Sequence, residues 1–66
     1  RWEVGARIRQ LRHERQLSQV ELANRMGLDH RTISRAENGR HAISVDQAWR
    51  IATGLGVPTW RLFRDE

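Results

Sequence analysis

The chain predicts an all-α domain of five short helices. Three observations carry that expectation. Polar capping residues mark helix starts at Ser18, Asp29 and Ser44, and glycines stand at the matching stops, Gly27, Gly39 and Gly56. Between them, apolar residues recur every three or four positions, as one face of a helix requires.

The first helix is expected from about Trp2 to Gln16. Val4, Ile8 and Leu11 share a face, while Arg7, Arg9, Arg12, Glu14 and Arg15 supply charge elsewhere. The second is expected over Gln19 to Met26. Ser18 and Glu21 form an S-x-x-E capping box, and Leu17 with Leu22 has the spacing of a hydrophobic staple. The third runs from about His30 to Asn38, with Asp29 as N-cap and Leu28 with Ile33 as its staple. The fourth starts at Ser44, whose capping-box partner is Gln47, and Ile43 with Ala48 repeats the staple. Ala48, Ile51, Ala52 and Leu55 form its inward stripe, and Trp49 is expected to complete the core. Gly54 within this helix costs about 1 kcal/mol relative to alanine, so close helix packing is the reason to look for. Pro58 and Thr59 open a last short helix that carries Leu62 and Phe63 into the core.

The segment Ser18–Gly39, two helices and a tight turn, is the most informative part of the chain. Ala23 is small where two helices meet after so short a connection, and Leu22, Met26, Leu28, Ile33 and Ala36 supply the apolar interior. At 100° per residue, Ile33 and Ala36 point inward, while His30, Arg31, Ser34, Arg35 and Asn38 fall on the opposite side. Any surface helix has a polar outer face. Two capped starts around a glycine turn, with planar hydrogen-bond donors outward, point further, to a helix that reads DNA in the major groove.

Composition is compatible with that reading. The net charge is +4, the sequence pI is about 11.5, and all twelve basic residues are arginine. Codon usage in a G+C-rich genome gives such a bias, and arginine also supplies bidentate donors for phosphate and guanine. Sixty-six residues make one domain, residues 1–66, burying roughly 60% of its unfolded surface. The chain begins at Arg1 rather than Met, as an excised domain would. No cysteine is present, no apolar run approaches the roughly 20 residues of a membrane span, and no signal peptide is visible, so a cytoplasmic protein is expected. His13, His30 and His41 have no second histidine three or four residues away. Without a phosphate-cradling glycine loop or a nucleophile elbow either, catalysis, a metal site and a cofactor are all unexpected.

In its motifs the chain resembles the phage repressor and Cro type of helix-turn-helix regulator, the xenobiotic-response-element type. The matching residues are Leu17–Ala23, Gly27, Thr32-Ile33-Ser34 and Glu37-Asn38-Gly39, with Ile8, Leu11, Arg12 before them and Arg50–Val57 after. The resemblance covers about Ala6 to Phe63. It implies a compact five-helix, lambda-repressor-like fold and sequence-specific binding of double-stranded DNA by a bacterial or phage regulator. It also implies a homodimer on a palindromic operator. Carried over position by position, it implies base contacts for Arg31 and Arg35, and base or phosphate contact for His30. Gln19 would bind a phosphate and buttress the recognition helix. Ser34 and Asn38 are candidates for phosphate or base, Thr32 for phosphate or a thymine methyl, and Arg40 for phosphate. The family commonly pairs an arginine at the Arg12 position with a glutamate at the Glu37 position, which implies a partly buried salt bridge behind the recognition helix.

The chain departs from that pattern in three places. Ile43 stands where proline is frequent, Pro58 where a capping Ser or Thr is frequent, and Trp60 at a position usually charged or polar. Trp60 is either a packed lid, over Trp2, or an exposed aromatic at an interface. Dimer contacts are expected from the His41–Ser44 loop and the start of the last helix near Trp60. The alternative function is a protein-interaction module of the same fold, an antitoxin or adaptor anchored on Trp60, whose main partner is another protein.

Overall fold

The computed structural model describes residues 2–39 and 43–63. Within them are four α-helices, α1 (Trp2–Glu14), α2 (Gln19–Met26), α3 (His30–Asn38) and α4 (Val45–Leu55), and a closing 3₁₀ turn, Thr59–Leu62. Arg40 and His41 lie outside the described residues, as does the side chain of Trp2.

Local chemistry sets five of the boundaries. Ser18 and Ser44 each accept a hydrogen bond from the backbone N–H three residues on, and Glu21 and Gln47 reach back to the cap N–H, closing both capping boxes. Gly27, Gly39 and Gly56 end their helices in the left-handed conformation, with φ of 68°, 67° and 76°. α1 ends two residues earlier than expected. Gln16 takes the left-handed conformation (φ 56°) without being glycine. The Leu17 N–H returns to the Arg12 carbonyl at 3.1 Å and the Gln16 N–H to that of His13 at 3.0 Å, the two bonds of a Schellman stop.

α1 packs mainly on α3, α2 lies between α3 and α4, and the closing turn covers α4. Every helix contributes to one core, whose largest fully buried side chains are Ile8, Leu11, Leu22, Ile33, Ile51, Leu55 and Leu62. Truncating one of these to alanine would cost about 2–5 kcal/mol. Two close approaches explain glycines inside helices. A methyl group on Gly54 would collide with the Met26 side chain, which would have to move aside for α4 to lie as closely on α2. A methyl group on Gly5 would sit 2.5 Å from the Ala36 carbonyl oxygen and 2.6 Å from that of Glu37, so α1 meets the last turn of α3 backbone to backbone.

Three expectations are corrected. The fifth helix is a single 3₁₀ turn held by i→i−3 bonds, Arg61 to Pro58 at 3.0 Å and Phe63 to Trp60 at 2.9 Å. Its start has no side-chain cap, because Pro58 offers no acceptor, and four residues are too few for an α-helical ladder. Trp49 does not complete the core and is 57% exposed. It stands about 100° round the helix from Ala48, off the stripe that Ala48, Ile51, Ala52 and Leu55 share. Phe63 is also 57% exposed. It falls three residues after exposed Trp60, and positions i and i+3 eclipse in a 3₁₀ turn, so Leu62 alone turns inward.

Candidate nucleic-acid interface

α3 is a nine-residue helix with two unlike faces. Ile33, Ala36 and Glu37 are buried, Thr32 and Ser34 half-buried, and His30, Arg31, Arg35 and Asn38 exposed. Asp29 caps it, accepting the Arg31 N–H at 2.9 Å. The apolar residues that the turn places against α1 and α2 thus decide which residues are left for solvent.

The buried face is organised around one carboxylate. Glu37 Oε2 accepts from Arg12 Nε at 2.6 Å, and Oε1 accepts from Arg12 Nη2 at 3.0 Å, Gln19 Nε2 at 3.1 Å and Arg9 Nε at 3.4 Å. The third nitrogen of Arg12 donates to the Leu17 carbonyl at 2.9 Å. One guanidinium therefore joins α1, the turn after it and α3, and one carboxylate joins α1, α2 and α3. Burial alone would raise the Glu37 pKa. The hydrogen bonds from Arg12 and Gln19, the Arg12 charge and the Arg9 hydrogen bond outweigh it and hold the carboxyl below its ordinary value. The charge is thus satisfied where an unpaired one would be costly.

The exposed face is looser. Arg31 Nη2 lies 3.1 Å from Asp29 Oδ2, and His30 Nδ1 lies 3.5 Å from Asp29 Oδ1. The Arg31 backbone and side-chain hydrogen bonds lower the Asp29 pKa, and the side-chain bond raises that of Arg31. Arg35 has no hydrogen bond or ion pair among the described residues. Ser34 and Asn38 are linked, Nδ2 to Oγ, at 3.4 Å, and Asn38 Oδ1 accepts from Arg9 Nη2 at 3.4 Å. Gln19 stands at the first position of α2 with its amide on Glu37, beside rather than on the exposed face of α3.

The structure therefore brings His30, Arg31 and Arg35 onto one solvent-facing helix and ties Arg12, Gln19 and Glu37 together behind it. It adds Arg9, which the sequence alone presents only as surface charge. The available signal was its i,i+3 spacing to Arg12, which puts both on one side of α1. Among the described residues no group of three His, Cys, Asp or Glu could hold a metal ion, and no helix is long and apolar enough to cross a membrane.

Comparison with known proteins places this geometry. A helix-turn-helix family model of the HTH_3 type matches residues 8–59. An uncharacterised transcriptional regulator in the ATPase CF(0) region of Rhodospirillum rubrum is 40% identical over 62 residues, 94% of this chain and 57% of that protein. This chain thus spans little more than half of that relative. The control protein C.MunI of Mycoplasma sp. is 36% identical over 62 residues, 92% of this chain and 84% of its own. Among solved structures, the restriction-modification controller protein C.AhdI from Aeromonas hydrophila superposes with a TM-score of 0.90 at 34% identity, covering 94% of each chain. The hypothetical transcription factor NHTF from Neisseria gives 0.91 at 30% identity, over 96% of this chain and 72% of its own. With the family model covering most of the chain and both structures sharing its fold, the chain belongs to the helix-turn-helix family of DNA-binding transcriptional regulators.

Proposed function

We propose that this chain regulates transcription in the cytoplasm by laying α3 in the major groove of a specific duplex operator. The observation that carries the reading is the division of α3 into an anchored inner face and an outer face of His30, Arg31 and Arg35. Arg31 and Arg35 supply forks that match guanine O6 and N7, and His30 at the helix start approaches a base edge or phosphate. Gln19, Thr32, Ser34, Asn38 and Arg40 serve the phosphate backbone and set the register. The names of the relatives, regulators and controllers, support the same direction.

A homodimer on a palindromic operator completes the reading, because one copy reaches only one half-site and a symmetric pair reads two about 34–36 Å apart. Large apolar side chains are exposed on α4 and the turn that covers it, Val45, Trp49, Trp60 and Phe63. They supply the contact surface such a pair needs, with Trp60 as an exposed aromatic rather than a closed lid.

Selection of bound sequences from a random duplex pool, followed by titration, tests this. The expected result is one palindromic consensus containing G·C pairs, with two chains bound per duplex at saturation. A dimer neutralising roughly six to ten phosphates should lose about three to five decades of affinity between 50 and 200 mM salt. A salt slope near zero would favour the protein-interaction reading, an antitoxin or adaptor. One chain per duplex at saturation on a palindromic site would reject the dimer.

A further inference from the structure

The N-cap of α3 makes contacts that capping does not require. Serine, threonine or asparagine accepts the N–H that Asp29 accepts about as well. What a carboxylate adds is a second oxygen. Oδ2 meets Arg31 Nη2 at 3.1 Å, Oδ1 lies 3.5 Å from Arg31 Nε, and the same Oδ1 lies 3.5 Å from His30 Nδ1. The carboxylate thus faces the side edge of the guanidinium, the edge formed by Nε and Nη2. A guanidinium has five donors in a fixed plane. With its side edge on Asp29, its end edge, Nη1 and the second N–H of Nη2, is left free, and that edge is the fork that fits guanine O6 and N7.

We propose that Asp29 is a positioning and specificity-determining residue. Its carboxylate holds Arg31 by the side edge so that the end edge is presented to a guanine. The inference rests on Arg31 being a base contact, as argued above. Two physical consequences give Asp29 its effect. An unheld arginine at a helix start satisfies itself equally well on a phosphate, which carries no sequence information. A negative charge at the same place also repels the backbone on every duplex, so it lowers binding to all sequences alike and leaves the difference between them to the oriented guanine contact. Specificity then rises although total affinity falls.

The test uses Asp29→Ser and Asp29→Asn, both of which keep a capping side chain, with thermal unfolding to show that the fold persists. Parent, Arg31→Ala, both Asp29 variants and the double variant Arg31→Ala/Asp29→Ser are titrated on the selected duplex, on duplexes with each G·C pair exchanged in turn, and on an unrelated duplex. Arg31→Ala identifies the base position that Arg31 reads. The Asp29 variants are expected to lose about two- to fivefold of the discrimination at that position alone, the range an exposed ion pair supplies, and to bind the unrelated duplex more tightly than the parent. The double variant should discriminate no worse there than Arg31→Ala. Asp29 variants that keep the parent's discrimination at that position, or lose it evenly at all positions, overturn the inference and leave the base contact standing. Arg31→Ala with every base preference intact overturns the base contact itself, and the inference with it.

Discussion

The two faces of α3 are held by opposite means. On the inner face, Glu37 is buried and takes four hydrogen bonds from three residues on two other helices. On the outer face, Arg35 has no such contact among the described residues, and Arg31 has only a carboxylate on its own N-cap. The two Arg12–Glu37 bonds are buried, so they fix geometry and resist exchange. The outer groups are hydrated and give up little when a new partner arrives, because an exposed ion pair is worth about 0–1 kcal/mol. A helix that must hold its angle and still trade contacts needs both conditions, one on each side.

The largest effects are expected on the inner face. Arg12→Ala or Glu37→Gln leaves a buried group without its partner, and each should cost about 3–5 kcal/mol in urea unfolding. The joint change Arg12→Met/Glu37→Leu should recover part of that, since it leaves neither charge alone. Single variants that unfold at the parent's denaturant concentration would show that the cluster is not what holds α3.

Acid should act on the same group. The folded Glu37 pKa lies below the ordinary 4.5, so the unfolded chain binds its proton first as pH falls. The stabilisation is therefore complete above about pH 4.5 and is lost as pH drops through the folded value. Unfolding midpoints measured from pH 7 to pH 3 should fall less steeply in Glu37→Gln than in the parent.

From the outer side the effects separate from folding. Arg31→Ala and Arg35→Ala should each weaken binding to the selected operator by about 1–3 kcal/mol and relax preference at one base position. Their unfolding free energies should stay within about 0.5 kcal/mol of the parent. Binding isotherms and melts on the same samples decide it, and equal losses in both would mean that the faces are not independent.

The smallest effect is expected at the turn that Arg12 grips. Gln16 holds a left-handed conformation that costs a side chain. Gln16→Gly relieves that cost and adds unfolded-chain entropy, for a net gain of at most about 1 kcal/mol. A melt that shows destabilisation instead would assign the Gln16 side chain a contact of its own.

These contrasts also explain what the sequence made legible. The bounds of α2 and α3 follow from Ser18, Gly27, Asp29 and Gly39 because capping is local chemistry, readable a few residues at a time. The end of α1 is not legible in that way, because its left-handed residue is Gln16 and glycine is the usual signal. Residue type points Trp49 and Phe63 inward, yet direction is set by helix phase and by the 3₁₀ turn, so both are exposed. In the site, the pairing of Arg12 with Glu37 is suggested by family resemblance, and the two lie 2.6 Å apart. The role of Gly5 depends on how α1 crosses α3, a long-range property that no local pattern encodes, and the spacing of Arg9 to Arg12 places it on the right side of α1 without showing that it reaches Glu37. The opening of the outer face is the reverse case, visible from helical periodicity alone.

The polar grip on α3 is at one end, while Ile33 and Leu28 hold the rest by packing. Glu37 and the Gly5 contact secure its last turn, while His30 stands at its first, seven residues away or about 10 Å along the axis. The buried carboxylate is the polar pivot for whatever tilt the packing of Ile33 and Leu28 allows. A tilt of about 5° there swings the far tip by about 1 Å, and hydrogen-bond distances tolerate only about half that range. Arg12→Lys keeps the charge but not the fork, so it should re-aim the tip while the domain stays folded. Base preference would then change at positions no altered side chain touches, a result that repeated sequence selection on that variant would detect.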